Sequence, residues 1–120
     1  MKQISDSAWN LPELLAMVDH DRELLRDLLA IFYEEFPRHI GSLQRAVAAG
    51  DLKNVTAIGH TLKGMLANLA ATRAAAAASR LELMARAGEK GSLQEALDVL
   101  QREANALLPE FAAYLAEVSS

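Results

Sequence analysis

One long amphipathic run, from residue 21 to residue 48, constrains the fold of this chain more than any other feature. Apolar side chains recur in it at intervals of three and four residues, which places them on one face of an α-helix. The positions on that face are Leu25, Leu28, Leu29, Phe32, Phe36, Leu43 and Val47. The apolar phase resumes after Pro37, so we expect this proline to kink the helix and not to end it. At 1.5 Å per residue the helix would span about 40 Å.

Start and stop signals divide the rest of the chain into further helices. Asn10 is a candidate N-cap for a short helix that ends near Val18, and residues 19–21 offer the next N-cap. Gly50 followed by Asp51, an acidic N-cap, is a clear break. The next helix runs to about Leu69. Thr72 is expected to cap a helix through the alanines at 74–78 that ends at Gly88. Ser92 with Glu95 is typical of a capping box at the start of the last helix, which we expect Pro109 to bend.

Composition favours one helical domain. Of the 120 residues, 52% are hydrophobic but only 5% are aromatic, and Gly and Pro are few. We predict a single all-α domain over residues 1–120: an antiparallel up-down four-helix bundle with a short extra N-terminal helix, in which residues 1–9 are a flexible or irregular segment. The short turns between helices favour the antiparallel arrangement.

Several functional classes fit the sequence poorly. The net charge of −4 argues against a general nucleic-acid binder. No apolar run reaches the roughly 20 residues of a membrane helix, so we expect no membrane insertion. The N-terminus lacks the apolar segment of a secretory signal, and the chain has no cysteine. We therefore expect a cytoplasmic protein without disulfides or thiolate metal sites.

His60 occupies an unusual position on its helix. The apolar stripe of this helix consists of Val55, Ile58, Leu62, Met65, Leu66 and Leu69. His60 points roughly 170° away from the centre of that stripe. Gly64 lies one turn further on the exposed side, and Ala57 and Ala67 flank it. Small neighbours therefore leave the imidazole open to a bulky partner, and Lys63 and Lys53 would make the surrounding strip positive.

The chemistry open to His60 is narrow. The other two histidines, His20 and His39, are far from it in sequence, and no metal-binding spacing joins them. A hydrolase triad is unsupported, because no nucleophile elbow accompanies the histidine. The sequence has no phosphate-binding loop, so it predicts no ATP site. The helical wheel places no carboxylate near His60. A neutral imidazole with an available lone pair is a nucleophile, so what remains is a group acceptor whose partner brings the electrophile.

The segment Ala57-x-x-His60-x-Leu62-Lys63-Gly64-x-x-Ala67-Asn68-Leu69 closely resembles the signature of histidine-containing phosphotransfer (HPt) domains of bacterial multistep phosphorelays. The resemblance extends to a Glu-Glu-Phe-Pro segment at 34–37, an Ala-Ala-Gly-Asp turn at 48–51, and the pair Leu81-Glu82.

That resemblance implies that His60 accepts a phosphoryl group from a receiver-domain aspartyl phosphate and passes it to another receiver. Lys63 would assist electrostatically and Gly64 would leave room for the receiver loop. The implied partners are receiver domains of response regulators or of a hybrid sensor kinase. The chain itself would need no cofactor, metal or catalytic apparatus, because Mg²⁺ is expected on the receiver, and it would be a monomer.

Other residues differ from the family pattern or have ordinary interpretations. Met65, Leu66 and Ala70 replace residues common in the family. We interpret His20 and His39 as surface residues and Asn68 as serving the helix end. The apolar residues of the first helix, Leu14, Leu15, Met17 and Val18, are interpreted as a cap on the bundle, one or two of which would touch a receiver. The alternative function is an HPt-like interaction module that binds a receiver or another partner without carrying phosphate.

Overall fold

The computed structural model describes residues 9–118. Over this range the protein forms six α-helices and no strand. They are α1 (Leu11–Met17), α2 (Arg22–Ala49), α3 (Leu52–Asn68), α4 (Thr72–Arg86), α5 (Leu93–Asn105) and α6 (Leu107–Val118), with a 3-10 turn at Lys90–Ser92. The predicted all-α class is confirmed. None of these helices has an apolar stretch long enough to cross a membrane.

The first three helices begin at the predicted caps. The Asn10 side chain accepts a hydrogen bond from the Glu13 amide at 3.1 Å, and Asp21 and Asp51 cap α2 and α3 in the same way. Such bonds satisfy backbone donors that have no partner within the helix. Pro37 lies inside α2 and does not end it. Gly50 then ends α2 in the left-handed conformation, with φ of 67°, which glycine adopts without steric cost.

The helices enclose one apolar core. Helix α3 packs against α4, α4 against α5, and α2 against both α3 and α5. The predicted face of α2 faces this core: Leu25, Leu29, Phe32 and Leu43 are buried, and Leu28, Phe36 and Val47 are partly buried. Alanines supply much of the surface of α4, and Ala74, Ala77 and Ala78 are buried. The alanine run is therefore a packing face.

Two predicted caps are wrong. Thr72 is the first residue of α4, and the cap position falls on Ala71, which makes no side-chain capping bond. The preceding turn determines this register: the Ala71 amide donates to the Leu66 carbonyl at 3.0 Å, and Ala70 has a φ of 56°. Ser92 stands at the cap position of α5 without a capping bond. Its ψ of 5° differs from the extended backbone typical of a capping serine.

The C-terminal segment was predicted as one helix bent near Pro109, but the structure breaks it earlier. Helix α5 ends at Asn105 and α6 begins at Leu107. Proline has no amide hydrogen to donate to the carbonyl four residues earlier, which here belongs to Asn105. In the first turn of α6 that missing donor costs nothing, because amides at the start of a helix lack an intrahelical partner anyway.

Trp9 is the last residue of the segment predicted as flexible or irregular, residues 1–9. Its backbone is irregular, but only 4% of the residue is exposed. The indole Nε1 donates to the Leu69 carbonyl at 2.8 Å, and the ring makes edge contacts with Phe111 and Tyr114. The end of α3 and helix α6 are therefore joined through Trp9. The remainder of the predicted segment, residues 1–8, lies outside the described residues.

Candidate functional site

His60 lies on the solvent side of α3. Val55, Leu62 and Leu66 of the predicted stripe are fully buried, and Ile58 and Met65 are partly buried. The His60 side chain, on the opposite side, is 64% exposed. The burial of the stripe therefore fixes the helix rotation that presents the imidazole to solvent.

A carboxylate lies next to this imidazole, contrary to the expectation from the helical wheel. The Nδ1 atom of His60 is 3.3 Å from Oε2 of Glu82, on α4. A neutral imidazole that donates its Nδ1 hydrogen to this oxygen keeps its lone pair on Nε2. Nε2 has no hydrogen-bond partner within residues 9–118. With this tautomer, Nε2 is the ring nitrogen that has an available lone pair.

Glu82 is held by two cations as well. Arg86, one turn further along α4, donates to Oε2 from both Nε and Nη2, at 3.2 and 2.8 Å. Nζ of Lys63 lies 3.2 Å from Oε1. The two side chains form an ion pair. The Glu82 side chain is only 5% exposed, whereas Lys63 and Arg86 are 38% and 57% exposed.

These contacts change the acidity of Glu82. The Arg86 guanidinium holds the pKa of the Glu82 carboxyl below its ordinary value, burial acts in the opposite direction, and Lys63 and His60 add to the lowering. Glu82 is therefore a carboxylate at neutral pH. The two cations Lys63 and Arg86 around the one anion Glu82 leave this cluster with a net positive charge when His60 is neutral. The Glu82 carboxylate therefore neutralises part of the positive charge predicted around His60.

The other residues predicted around His60 lie on the surface of α3. Ala57 and Ala67 are exposed, as is Lys53. Gly64 is exposed, and a Cβ atom added to it would meet no other atom within 4 Å. The surface around the imidazole is therefore open. At about 1.5 Å per residue, Lys53 lies about 10 Å along the helix from His60.

The remaining candidates lie elsewhere on the surface or in the core. His20 is exposed in the turn between α1 and α2, and His39 is half-buried in the middle of α2. Asn68 is the last residue of α3. In α1, Leu14 is fully buried, Leu15 is partly buried and Met17 is 55% exposed, and Val18, directly after the helix, is partly buried. No group of three or more metal-ligating side chains occurs in the part of the chain that the structure describes.

A small apolar hollow lies between α2 and α3, beyond Gly64 along α3. Its volume is about 120 Å³, and its lining residues are Leu28, Ile31, Phe32, Met65, Asn68 and Leu69. Ile31, at its edge, is 54% exposed. An accessible apolar surface therefore adjoins the face that carries His60.

Comparison with protein families identifies this chain. Residues 27–115, nearly three quarters of the chain, match the family model described as the Hpt domain. The chain belongs to the Hpt domain family. No match is found among curated proteins or among solved structures. The predicted resemblance is thus confirmed. Hpt domains are phosphocarrier modules that transfer phosphoryl groups through a histidine in phosphorelays.

The sequence pattern assigned neither Glu82 nor Arg86 of this Hpt domain to the site. In the sequence, Glu82 stands out only as part of the pair Leu81-Glu82, which belongs to the family resemblance. A signal was present, because Glu82 is the one acidic residue of α4 and has an arginine four residues later, the spacing of helical ion pairs. The pattern gives no information on which residue of α3 Glu82 would face.

Proposed function

We propose that this Hpt domain is a phosphorelay intermediate. His60 accepts a phosphoryl group from a receiver-domain aspartyl phosphate and passes it to the aspartate of another receiver. The observation that carries the proposal is the state of the imidazole: it is largely exposed, Nδ1 contacts Glu82, and Nε2 has no hydrogen-bond partner among the described residues. A nucleophile oriented by a fixed third group is the usual arrangement for covalent group transfer.

In the proposed step the Nε2 lone pair forms a bond to phosphorus as the bond from phosphorus to the aspartyl oxygen breaks. The electron pair of that bond leaves with the aspartyl carboxylate. The Nδ1 hydrogen stays on the ring, which becomes an imidazolium, and the negative charge of Glu82 at 3.3 Å stabilises it. Transfer to the next receiver reverses these changes. Mg²⁺ in this reaction belongs to the receiver, so this chain needs neither a metal nor an ATP site.

Residues around His60 support docking in this proposal. Ala57, Gly64 and Ala67 leave room for the receiver, whereas Lys53 and Lys63 attract its acidic pocket. The apolar hollow between α2 and α3 offers a contact for a receiver side chain. The proposal includes a cytoplasmic monomer that recognises receivers of response regulators or of a hybrid sensor kinase, with α2, α3, α4 and α5 in an antiparallel up-down order.

The second candidate is an interaction module that binds the receiver without carrying phosphate. One experiment separates the two. The protein is incubated with a receiver labelled at its aspartyl phosphate, and acid-labile, alkali-stable label is measured on this chain. We expect label on the wild type, on His20→Gln and on His39→Gln, and none on His60→Gln. Label that persists in His60→Gln would refute the assignment, and complex formation without label would support the interaction module. Incubation with ATP alone is expected to give no label.

A further inference from the structure

Gly59 lies where α3 packs against Glu82 of α4, one residue before His60. It is buried, and a Cβ atom added to it would lie 3.4 Å from Cβ of Glu82 and 3.5 Å from its Cα and backbone nitrogen. No side chain therefore separates the two backbones at this point. The distance between packed helices depends on the side chains at their contact, so the missing side chain allows α4 to approach α3 closely opposite Glu82.

The close packing of α4 against Gly59 determines which side chains of α3 the Glu82 carboxylate contacts. Lys63 lies one turn after Gly59 on the same side of α3, and His60 directly follows Gly59 in the sequence. With the Glu82 backbone against Gly59, the carboxylate lies 3.3 Å from Nδ1 of His60 and 3.2 Å from Nζ of Lys63. A displacement of α4 by 1 Å or so would lengthen both contacts beyond hydrogen-bonding distance.

We propose that Gly59 is a positioning residue: because it places no γ atom between the two helices, Glu82 lies against His60 and keeps the imidazole hydrogen on Nδ1 and the reactive lone pair on Nε2. This inference rests on the proposed phosphoryl transfer for its consequence, but the position of the ring hydrogen is measurable without any transfer. Gly59 thereby differs from Gly64, which is also in α3 but has open space around it. Gly59 governs the state of the nucleophile, whereas Gly64 governs access to it.

Substitutions of increasing size at Gly59 test the proposal. The Cβ atom of Gly59→Ala would make contacts of 3.4 Å and longer, which the packing accepts. The two γ-carbons of Gly59→Val have no room and force α4 away. Gly59→Cys, with a single γ atom, replaces the valine variant should that variant fail to fold. Gly41→Val is the matched control, because it adds the same side chain to a helical glycine of α2, where an added Cβ would meet the Arg45 side chain at 3.7 Å.

Two measurements are made on each variant: the ring-nitrogen ¹⁵N chemical shifts of His60 at a pH where the ring is neutral, and the rate of labelling at His60 by phosphoramidate. Phosphoramidate is a small phosphoryl donor that needs no docking surface. In the wild type, Gly59→Ala and Gly41→Val we expect the Nδ1–H tautomer and equal rates. In Gly59→Val, or its cysteine substitute, we expect a shift towards Nε2–H and at least a tenfold slower rate.

The outcomes distinguish this inference from the proposed function. Retention of the Nδ1–H tautomer in the larger Gly59 variants would overturn the role of Gly59, whatever the labelling rates. If the wild type accepts no phosphoryl group at His60 from a receiver or from phosphoramidate, the proposed function fails. The tautomer measurement still decides the role of Gly59 in that case.

Discussion

Glu82 and His60 come from different helices, 22 positions apart, and meet through Oε2 and Nδ1 at 3.3 Å. The carboxylate is almost fully buried, whereas the imidazole is mostly exposed. This combination supports a nucleophile well, because the buried partner is fixed by its surroundings and the exposed ring stays within reach of another protein.

Substitution of Glu82 should slow phosphoryl transfer without removing the acceptor. Glu82→Gln keeps the shape of the side chain but removes the charge that stabilises the imidazolium. We expect a loss of about 10-fold to 100-fold in the transfer rate, the range for groups that orient a metal-bound imidazole. Glu103→Gln is the control, because Glu103 is a half-buried carboxylate on α5 that pairs with Arg73 at 2.9 Å. Equal rates for the wild type and Glu82→Gln would contradict a role for the carboxylate.

Glu82 should also make stability depend on pH. Its folded-state pKa lies below the ordinary value, chiefly through Arg86, so the folded state favours the ionised form. The resulting stabilisation is fully present above the unfolded-state pKa of about 4.3 and is lost as the pH falls through the folded-state pKa. We expect the free energy of unfolding of the wild type to exceed that of Glu82→Gln at pH 7, with a difference that shrinks below about pH 4. Urea unfolding from pH 7 to pH 3 measures it, and a difference that grows with acidity would show the opposite sign of the pKa shift.

Periodicity and capping chemistry predicted those parts of the fold that depend on one helix at a time. The buried faces of α2 and α3 and the caps at Asn10, Asp21 and Asp51 follow from local spacing and side-chain chemistry. The exposed position of His60 follows in the same way, because burial of one stripe determines the opposite side. Thr72 and Ser92 failed as caps because the turns before them set a different backbone conformation, which the identity of a hydroxyl residue does not reveal.

The sequence pattern did not predict the contacts between helices. A helical wheel gives the direction of Glu82 on α4 but not the residue of α3 that it faces, because the pattern does not specify how far the two helices slide along each other. Gly59 illustrates the same difficulty: in sequence it is a weak helix former, and only the neighbouring α4 backbone gives it a role. Trp9 was assigned to the terminus, although its partners lie 60 residues or more further along the chain.

The apolar hollow between α2 and α3 gives a prediction about docking. Ile31→Asn removes an exposed apolar side chain at its edge without adding charge. We expect transfer from a receiver to slow severalfold, whereas labelling by phosphoramidate stays unchanged. Leu108→Asn is the control, since Leu108 is 36% exposed at the start of α6. Equal slowing in both variants would indicate a general effect on the fold and not a contact surface.

Gly50 gives a prediction about how the backbone conformation at the end of α2 contributes to stability. Its φ of 67° is in the left-handed region, whereas a Cβ atom added to it would meet only the Lys90 side chain, at 3.7 Å and beyond. Gly50→Ala should therefore destabilise the fold through the backbone, by about 1 kcal/mol after the smaller entropy of the unfolded chain is included. Gly91→Ala, in the 3-10 turn, should be neutral or stabilising by up to about 1 kcal/mol. Thermal unfolding of both variants measures the contrast, and equal midpoints would contradict it.

Trp9 should stabilise the end of α3 through one hydrogen bond and its aromatic contacts. Trp9→Phe retains an apolar ring but removes the Nε1 donor, which leaves the Leu69 carbonyl without that bond in a buried place. We expect a loss of about 1–3 kcal/mol in the free energy of unfolding. Tyr33→Phe is the matched control, because it removes a hydrogen bond to the Leu108 carbonyl at an exposed site, where the loss should stay within about 0.5 kcal/mol.

The position of Trp9 adds a second measurement to this comparison. The Asn10 amide donates to the Ala70 carbonyl at 3.2 Å, so residues 9 and 10 join the chain just after α3. Loss of the indole donor should therefore speed amide hydrogen exchange at the C-terminal end of α3 and leave exchange around Val55 slow, since local opening depends on local contacts. Uniformly faster exchange along α3 would instead mean that Trp9 stabilises the whole bundle and not the end of this helix.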